Sequence, residues 1–133
     1  MRAPLEEYKA VEAAVMKRMA AVANGNSTEA KAAFSEEAVY FGCPNGQFDH
    51  GPIQSFFDNV DRVGSNPKFT FRVDVIALEE TIAVARILEE NWGGTSDFTD
   101  VLLMMKQGEE WKCVVQVYNQ SSKTLSKSCT CDS

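Results

Sequence analysis

The chain has 133 residues, 44% of them hydrophobic and 24% charged, with a formal net charge of −6. That length suits one domain burying about two-thirds of its unfolded surface, and the acidic balance leaves no basic stripe to neutralise phosphates, so nucleic acid is not expected as a partner. No apolar run nears the roughly 18 residues of a membrane helix, and acids stand where a secretory leader would carry its apolar segment, so the expected compartment is the cytoplasm, without membrane association.

From Leu5, apolar residues at Tyr8, Val11, Val15, Met19 and Val22 lay one stripe along a first helix. "NGNST" ends it, with Gly25 suited to the left-handed position and Ser27 or Thr28 to capping the next helix. Asn26-Ser27-Thr28 and Asn119-Gln120-Ser121 match the glycosylation pattern and, without a leader, are read as chance. The second helix is short, "TEAKAAFS", and "EAVYFG" reads as a strand. A third helix begins at "GPIQSFFDNV", where Pro52 fits the first helical position and Ile53, Phe56, Phe57 and Val60 form an apolar face.

Beyond "GSNP" the period changes to two. "KFTFRVDVIAL" alternates Phe69, Phe71, Val73 and Val75 with Thr70, Arg72 and Asp74, and "TIAVARILEENW", "DFTDVLLMMK" and "EWKCVVQVYNQ" follow as strands. The short links "GGTS" and "QGE" predict antiparallel hairpins. One domain over 1–120 is therefore α+β, with helices first and a curved antiparallel sheet wrapped around them. Residues 121–133, rich in Ser and Lys, read as a disordered tail.

Cys43, Cys113, Cys129 and Cys131 do not form a disulfide framework in a chain of this length without a leader. Cys113 falls in an apolar strand pattern and reads as a small buried hydrophobe. The two tail sulfurs cannot by themselves complete a four-ligand metal site, and neither a metal nor a cofactor is expected.

"FSEEAVYFGCPNGQFDHGPIQSFF", followed by long strands ending in "FTDVLLMMKQGEEWKCVVQVYNQ", resembles the SnoaL-like and putative lumazine-binding groups of the nuclear transport factor 2-like superfamily. The "FTD" strand, the turn and the "WK" strand carry the resemblance best, with Gly51 adding to it, over about residues 5–120. It implies a cone-shaped α+β barrel with a pocket in its concave sheet, and a homodimer packed through the convex face. It does not imply one chemistry, because the fold hosts isomerases, dehydratases, epoxide hydrolases and proteins without known catalysis. Where related sequences often close the last strand with a histidine, this one has Asn119, a group that hydrogen-bonds but does not exchange protons.

If "GGTS" is a four-residue loop, Glu89 stands opposite Asp100 and Asn91 opposite Phe98. An even turn at "QG" then puts Phe98, Asp100, Leu102 and Met104 on one face with Trp111, Cys113, Val115, Val117 and Asn119, unless a bulge exchanges the faces locally. That face is taken as concave, with Glu89, Asn91, Asp100 and Asn119 at its polar end and Tyr40, Phe56 and Phe98 as pocket walls. Two opposed carboxyl groups in a partly dry pocket do not both ionise cheaply, so one serves as acid and the other as base. His50, the chain's single histidine, is a third candidate for proton transfer.

Two functions stay open. The leading reading is a pocket that binds a small molecule. Its alternative is a cofactor-independent isomerase, dehydratase or hydrolase, with Asp100 as base, Glu89 as acid and Asn119 holding an oxygen. A non-catalytic dimerisation module is a third reading.

Overall fold

The stripe on the first helix decides how the molecule closes. In the computed structural model, which describes residues 4–121, helix α1 spans Pro4–Ala23 and buries Val11, Val15, Met19 and Val22, with Glu7 and Arg18 on the same buried side. Trp111 Nε1 and Lys106 Nζ donate to Glu7 at 2.8 and 2.9 Å, fastening the helix to the sheet.

Gly25 is left-handed, with φ 67°, and a Cβ there would lie 2.4 Å from the Gly64 carbonyl carbon. Helix α2 spans Ser27–Lys31, and Asn26 caps it by accepting from the Glu29 N–H, in place of Ser27 or Thr28. It is shorter than its alanine-rich sequence suggests. Strand β1 already starts at Phe34, which pairs with Cys113, and the Cys113 N–H donates to the Ala33 carbonyl at 2.8 Å. Sheet pairing here overrides local helix propensity.

Strand β1 runs Phe34–Cys43 and short β2 runs Asp49–Pro52. Pro52 thus closes a strand and does not open a helix: Ile53 is the N-cap of α3, Gln54–Val63. An edge strand tolerates a proline because one N–H row has no partner. Strands β3 (Thr70–Glu79), β4 (Ile82–Trp92), β5 (Ser96–Gln107) and β6 (Glu110–Ser121) follow.

The single sheet has the order β2-β1-β6-β5-β4-β3. All neighbours are antiparallel except β1 and β6, which run parallel, a pairing the hairpin reading did not include. The sheet is curved and unclosed. Its inner residues Ala83, Ala85, Ile87, Leu102 and Met104 meet the α1 stripe, with Phe34 and Phe57, in one core.

Two bulges set the faces. At the β4–β5 hairpin Trp92 pairs with Ser96, but Glu89 pairs with Phe98 and Ile87 with Asp100, two positions from the expected register. The two-residue slip keeps the faces, so Glu89 and Asp100 remain on the same side as diagonal neighbours. Along β6, Val115 pairs with Leu103 while Cys113 pairs with Met104, leaving Val114 as the extra residue. Beyond it the faces exchange: Gln116 and Tyr118 turn inward, and Val117 and Asn119 are exposed.

Cys113 is buried and free, its thiol pushed up to about 12 chiefly by burial. Cys43 is disulfide-bonded, a bond the cysteine spacing did not announce. Most of the expected tail, with Cys129 and Cys131, lies outside the described residues. Among the described residues no helix is long and apolar enough to cross a membrane.

Candidate functional site

The concave face of the sheet and one side of α3 enclose a cavity of about 440 Å³, within the usual size for small-molecule sites. Glu89 on β4 and Asp100 on β5 line it, 7% and 4% exposed respectively. Burial, then the Asp100 charge and a hydrogen bond to Asp100, hold the Glu89 carboxyl well above the usual carboxylate range, and the Arg18 charge opposes this only in part. Glu89 therefore keeps its proton to higher pH than an ordinary carboxylic acid.

Arg18 reaches this pair from α1. It is 1% exposed, and one guanidinium nitrogen donates to Asp100 Oδ2 at 3.3 Å and to Gln116 Oε1 at 2.6 Å, while the other lies 2.8 Å from the Met19 sulfur. The guanidinium carbon lies 5.6 and 5.0 Å from the ring centres of Phe34 and Phe56. Such a charge stays buried only because it is paired and bonded. Gln116 spends its carbonyl oxygen on Arg18, so the end it retains for a ligand is the N–H₂ donor. Trp92 also lines the cavity, while its Nε1 is buried and makes no hydrogen bond among the described residues.

From Asp100 a row of paired residues crosses four strands to Asp49. Asp49 pairs with Gly42, Gly42 with Tyr118, and Tyr118 with Asp100. Gly42 makes the row possible, since a Cβ there would fall 2.0 Å from Tyr118 Cε1. The Tyr118 ring crosses this gap, and its hydroxyl donates to Asp49 Oδ2 at 3.3 Å, while Tyr40 donates to Asp49 Oδ1 at 3.2 Å. Burial, and next to it the Asp49 charge, raises the Tyr118 hydroxyl; burial also raises Tyr40, against a hydrogen bond from Ser55. Both therefore stay neutral. Trp92, Phe98, Tyr118 and Tyr40 form a continuous aromatic wall, with successive ring centres 5.7, 5.9 and 6.2 Å apart.

Of the residues expected from sequence, Glu89, Asp100, Tyr40, Phe56 and Phe98 meet around the cavity. Three do not. Asn119 is exposed on the convex face because the Val114 bulge inverted the strand end. Asn91 is the left-handed residue of the other bulge, with φ 63°, and is turned outward. His50, next to Asp49 on the edge strand, takes the opposite face and stacks on Phe41 and Phe48 at 6.0 and 5.1 Å. Sequence reasoning missed Arg18, Asp49, Gln116, Tyr118 and Trp92. Arg18 did leave a signal: it lies three residues after Val15 and four before Val22, on the apolar stripe itself.

Residues 6–119 match the family described as "Putative lumazine-binding". The chain belongs to this family, within the nuclear transport factor 2-like superfamily. A Cladobotryum protein named Aldolase FrzH is 31% identical over 113 residues, 85% of this chain and 90% of that protein. A nuclear transport factor 2-like protein of unknown function from Shewanella baltica is 27% identical with a TM-score of 0.83, covering 92% of this chain and 100% of the other. A second such protein, from Methylobacillus flagellatus, is 24% identical with a TM-score of 0.84, over 91% and 97% of the two chains, and shows the shared fold.

Proposed function

We propose that this family member is an acid/base enzyme that binds a small carbonyl compound and moves a proton at the carbon beside the carbonyl, the step that opens aldol-type carbon–carbon bond formation or cleavage. The observation that carries this reading is the buried carboxyl pair: Glu89 and Asp100 line the cavity, 7% and 4% exposed, Arg18 holds Asp100 Oδ2 at 3.3 Å, and burial with the Asp100 charge favours a proton on Glu89. Two carboxyl groups holding one proton can give it to a substrate oxygen from one side and take a carbon-bound proton on the other. In the forward step Asp100 takes the α-proton, the C–H electron pair becomes the C=C bond, and the carbonyl π pair moves to an oxygen that takes the Glu89 proton. Adding the resulting enol to a second carbonyl forms the new C–C bond. The enol proton returns to Glu89 and the Asp100 proton goes to the new alkoxide. The Gln116 amide supplies a donor for an oxygen. The relative named Aldolase FrzH agrees with this reaction class.

The aromatic wall and the cavity size also support a second reading, binding without turnover. Deuterium incorporation decides between them. A panel of small ketones in D2O, followed by proton NMR, should lose α-proton signal faster than in buffer, and Glu89→Gln and Asp100→Asn should each lower that rate by about a hundredfold or more. Exchange at the buffer rate with every ketone contradicts the enzyme reading.

We also propose a homodimer through the convex face. Ile82, Leu103, Met105 and Val117 are 53%, 40%, 41% and 43% exposed there, an apolar surface of the kind a two-fold interface covers.

A further inference from the structure

The two ends of the cavity differ in how their charge is balanced. At the Glu89 end the Asp100 carboxylate is met by Arg18, and the Gln116 amide N–H₂ stands beside it as a donor. The Asp49 end offers acceptors. Both oxygens of Asp49 already receive a tyrosine hydroxyl proton, so the Tyr118 oxygen presents lone pairs, and the carboxylate retains further lone pairs of its own. Asp49 makes no ion pair among the described residues. Its negative charge therefore stands half-buried beside two tyrosine rings, whose π faces are themselves electronegative. The cation among the lining residues, Arg62, lies on the last turn of α3 and binds Asn59 at 3.0 Å; its neighbour Val63 stands 3.7 Å from where a Gly93 Cβ would lie, on the Trp92 side.

We propose that Asp49, Tyr40 and Tyr118 form a subsite for a protonated amine, so that the ligand is a small amino-carbonyl compound with its oxygen toward Glu89 and its ammonium nitrogen toward Asp49. The placing of the carbonyl rests on the reading of Glu89 given above; the amine subsite rests on the Asp49 geometry alone. A carboxylate and aromatic faces each attract a cation, and an N–H⁺ group supplies the donors that the acceptors at this end lack. The chain's net charge of −6 favours approach of such a ligand.

The test compares 2-(dimethylamino)ethanol, protonated at neutral pH, with its uncharged counterpart 3-methylbutan-1-ol, by chemical-shift titration of the whole chain. The amine should bind at least about tenfold more tightly than the alcohol. Asp49→Asn should bring the ratio close to one, and Tyr118→Phe, which keeps the ring, should reduce it. Glu89→Gln should leave the ratio unchanged while slowing ketone exchange by about a hundredfold or more, so failure of either reading is separable from failure of the other. Equal affinity for the two compounds, or no response to the amine, overturns the proposal.

Discussion

Arg18 and Asp100, 82 residues apart in sequence, meet at 3.3 Å in the interior, one carried by the first helix and the other by the fifth strand. This contact joins the fold to the site, because the helix that fills the sheet also supplies the charge that balances its inner carboxylate. Arg18→Met keeps an unbranched apolar stem and removes that charge. Breaking a buried pair in this way costs about 3–5 kcal/mol, and urea denaturation should show a loss of that order. The double variant with Asp100→Asn should lose less than the sum of the two single variants, since neither charge is then left alone.

The Gly42 gap predicts a coupling of a different kind. An alanine there meets the Tyr118 ring, so Gly42→Ala should cost about 1–3 kcal/mol, the usual penalty for overpacking, and release Tyr118 from Asp49. In a Tyr118→Ala background the same change should cost far less. A thermal-denaturation cycle over the four proteins measures this, and additive costs would show that the ring does not depend on the gap.

For the convex face, Leu103→Asp or Val117→Asp places a charge on the apolar surface. Light scattering at micromolar concentration should show a dimer for the parent and monomers for both variants. A monomeric parent contradicts the interface.

Much of the fold was legible because it rests on long periodic segments. The α1 stripe and the alternation from Phe69 onward named both layers, and the short links named the hairpins. The inner ends of the strands were less so. Glu89 and Asp100 kept a common face through a slip of two residues, whereas one extra residue at Val114 sent Asn119 outward and Tyr118 inward. A bulge forms where packing demands it, and its trace in sequence, three consecutive apolar residues at Cys113–Val115, does not say which residue is extra. Arg18 was passed over because an arginine on an apolar stripe reads as polar until its partners are known. Asp49 and Tyr118 become neighbours only through the parallel β1–β6 pairing, which no local signal announces.

The pH dependence of stability follows from Glu89. Its folded carboxyl holds its proton above the unfolded value, so that contribution is complete below about pH 4.5 and is lost as pH rises toward the folded value. Glu89→Gln has no such loss. Its stability relative to the parent should be level in acid and should increase from about pH 4.5 upward, at no more than about 1.4 kcal/mol per pH unit. Denaturant midpoints across the pH range read this directly, and a difference that stays flat would mean that the carboxyl ionises as freely in the folded protein as in the unfolded chain.

Carboxyl carbon NMR of Glu89 and Asp100 against pH tests the unequal pair most directly. The Glu89 resonance should remain that of a protonated acid well above 4.5, its ordinary value, and in Asp100→Asn its titration should move to lower pH as the neighbouring charge is removed. A Glu89 resonance that titrates at its ordinary value, unmoved by Asp100→Asn, would contradict the account.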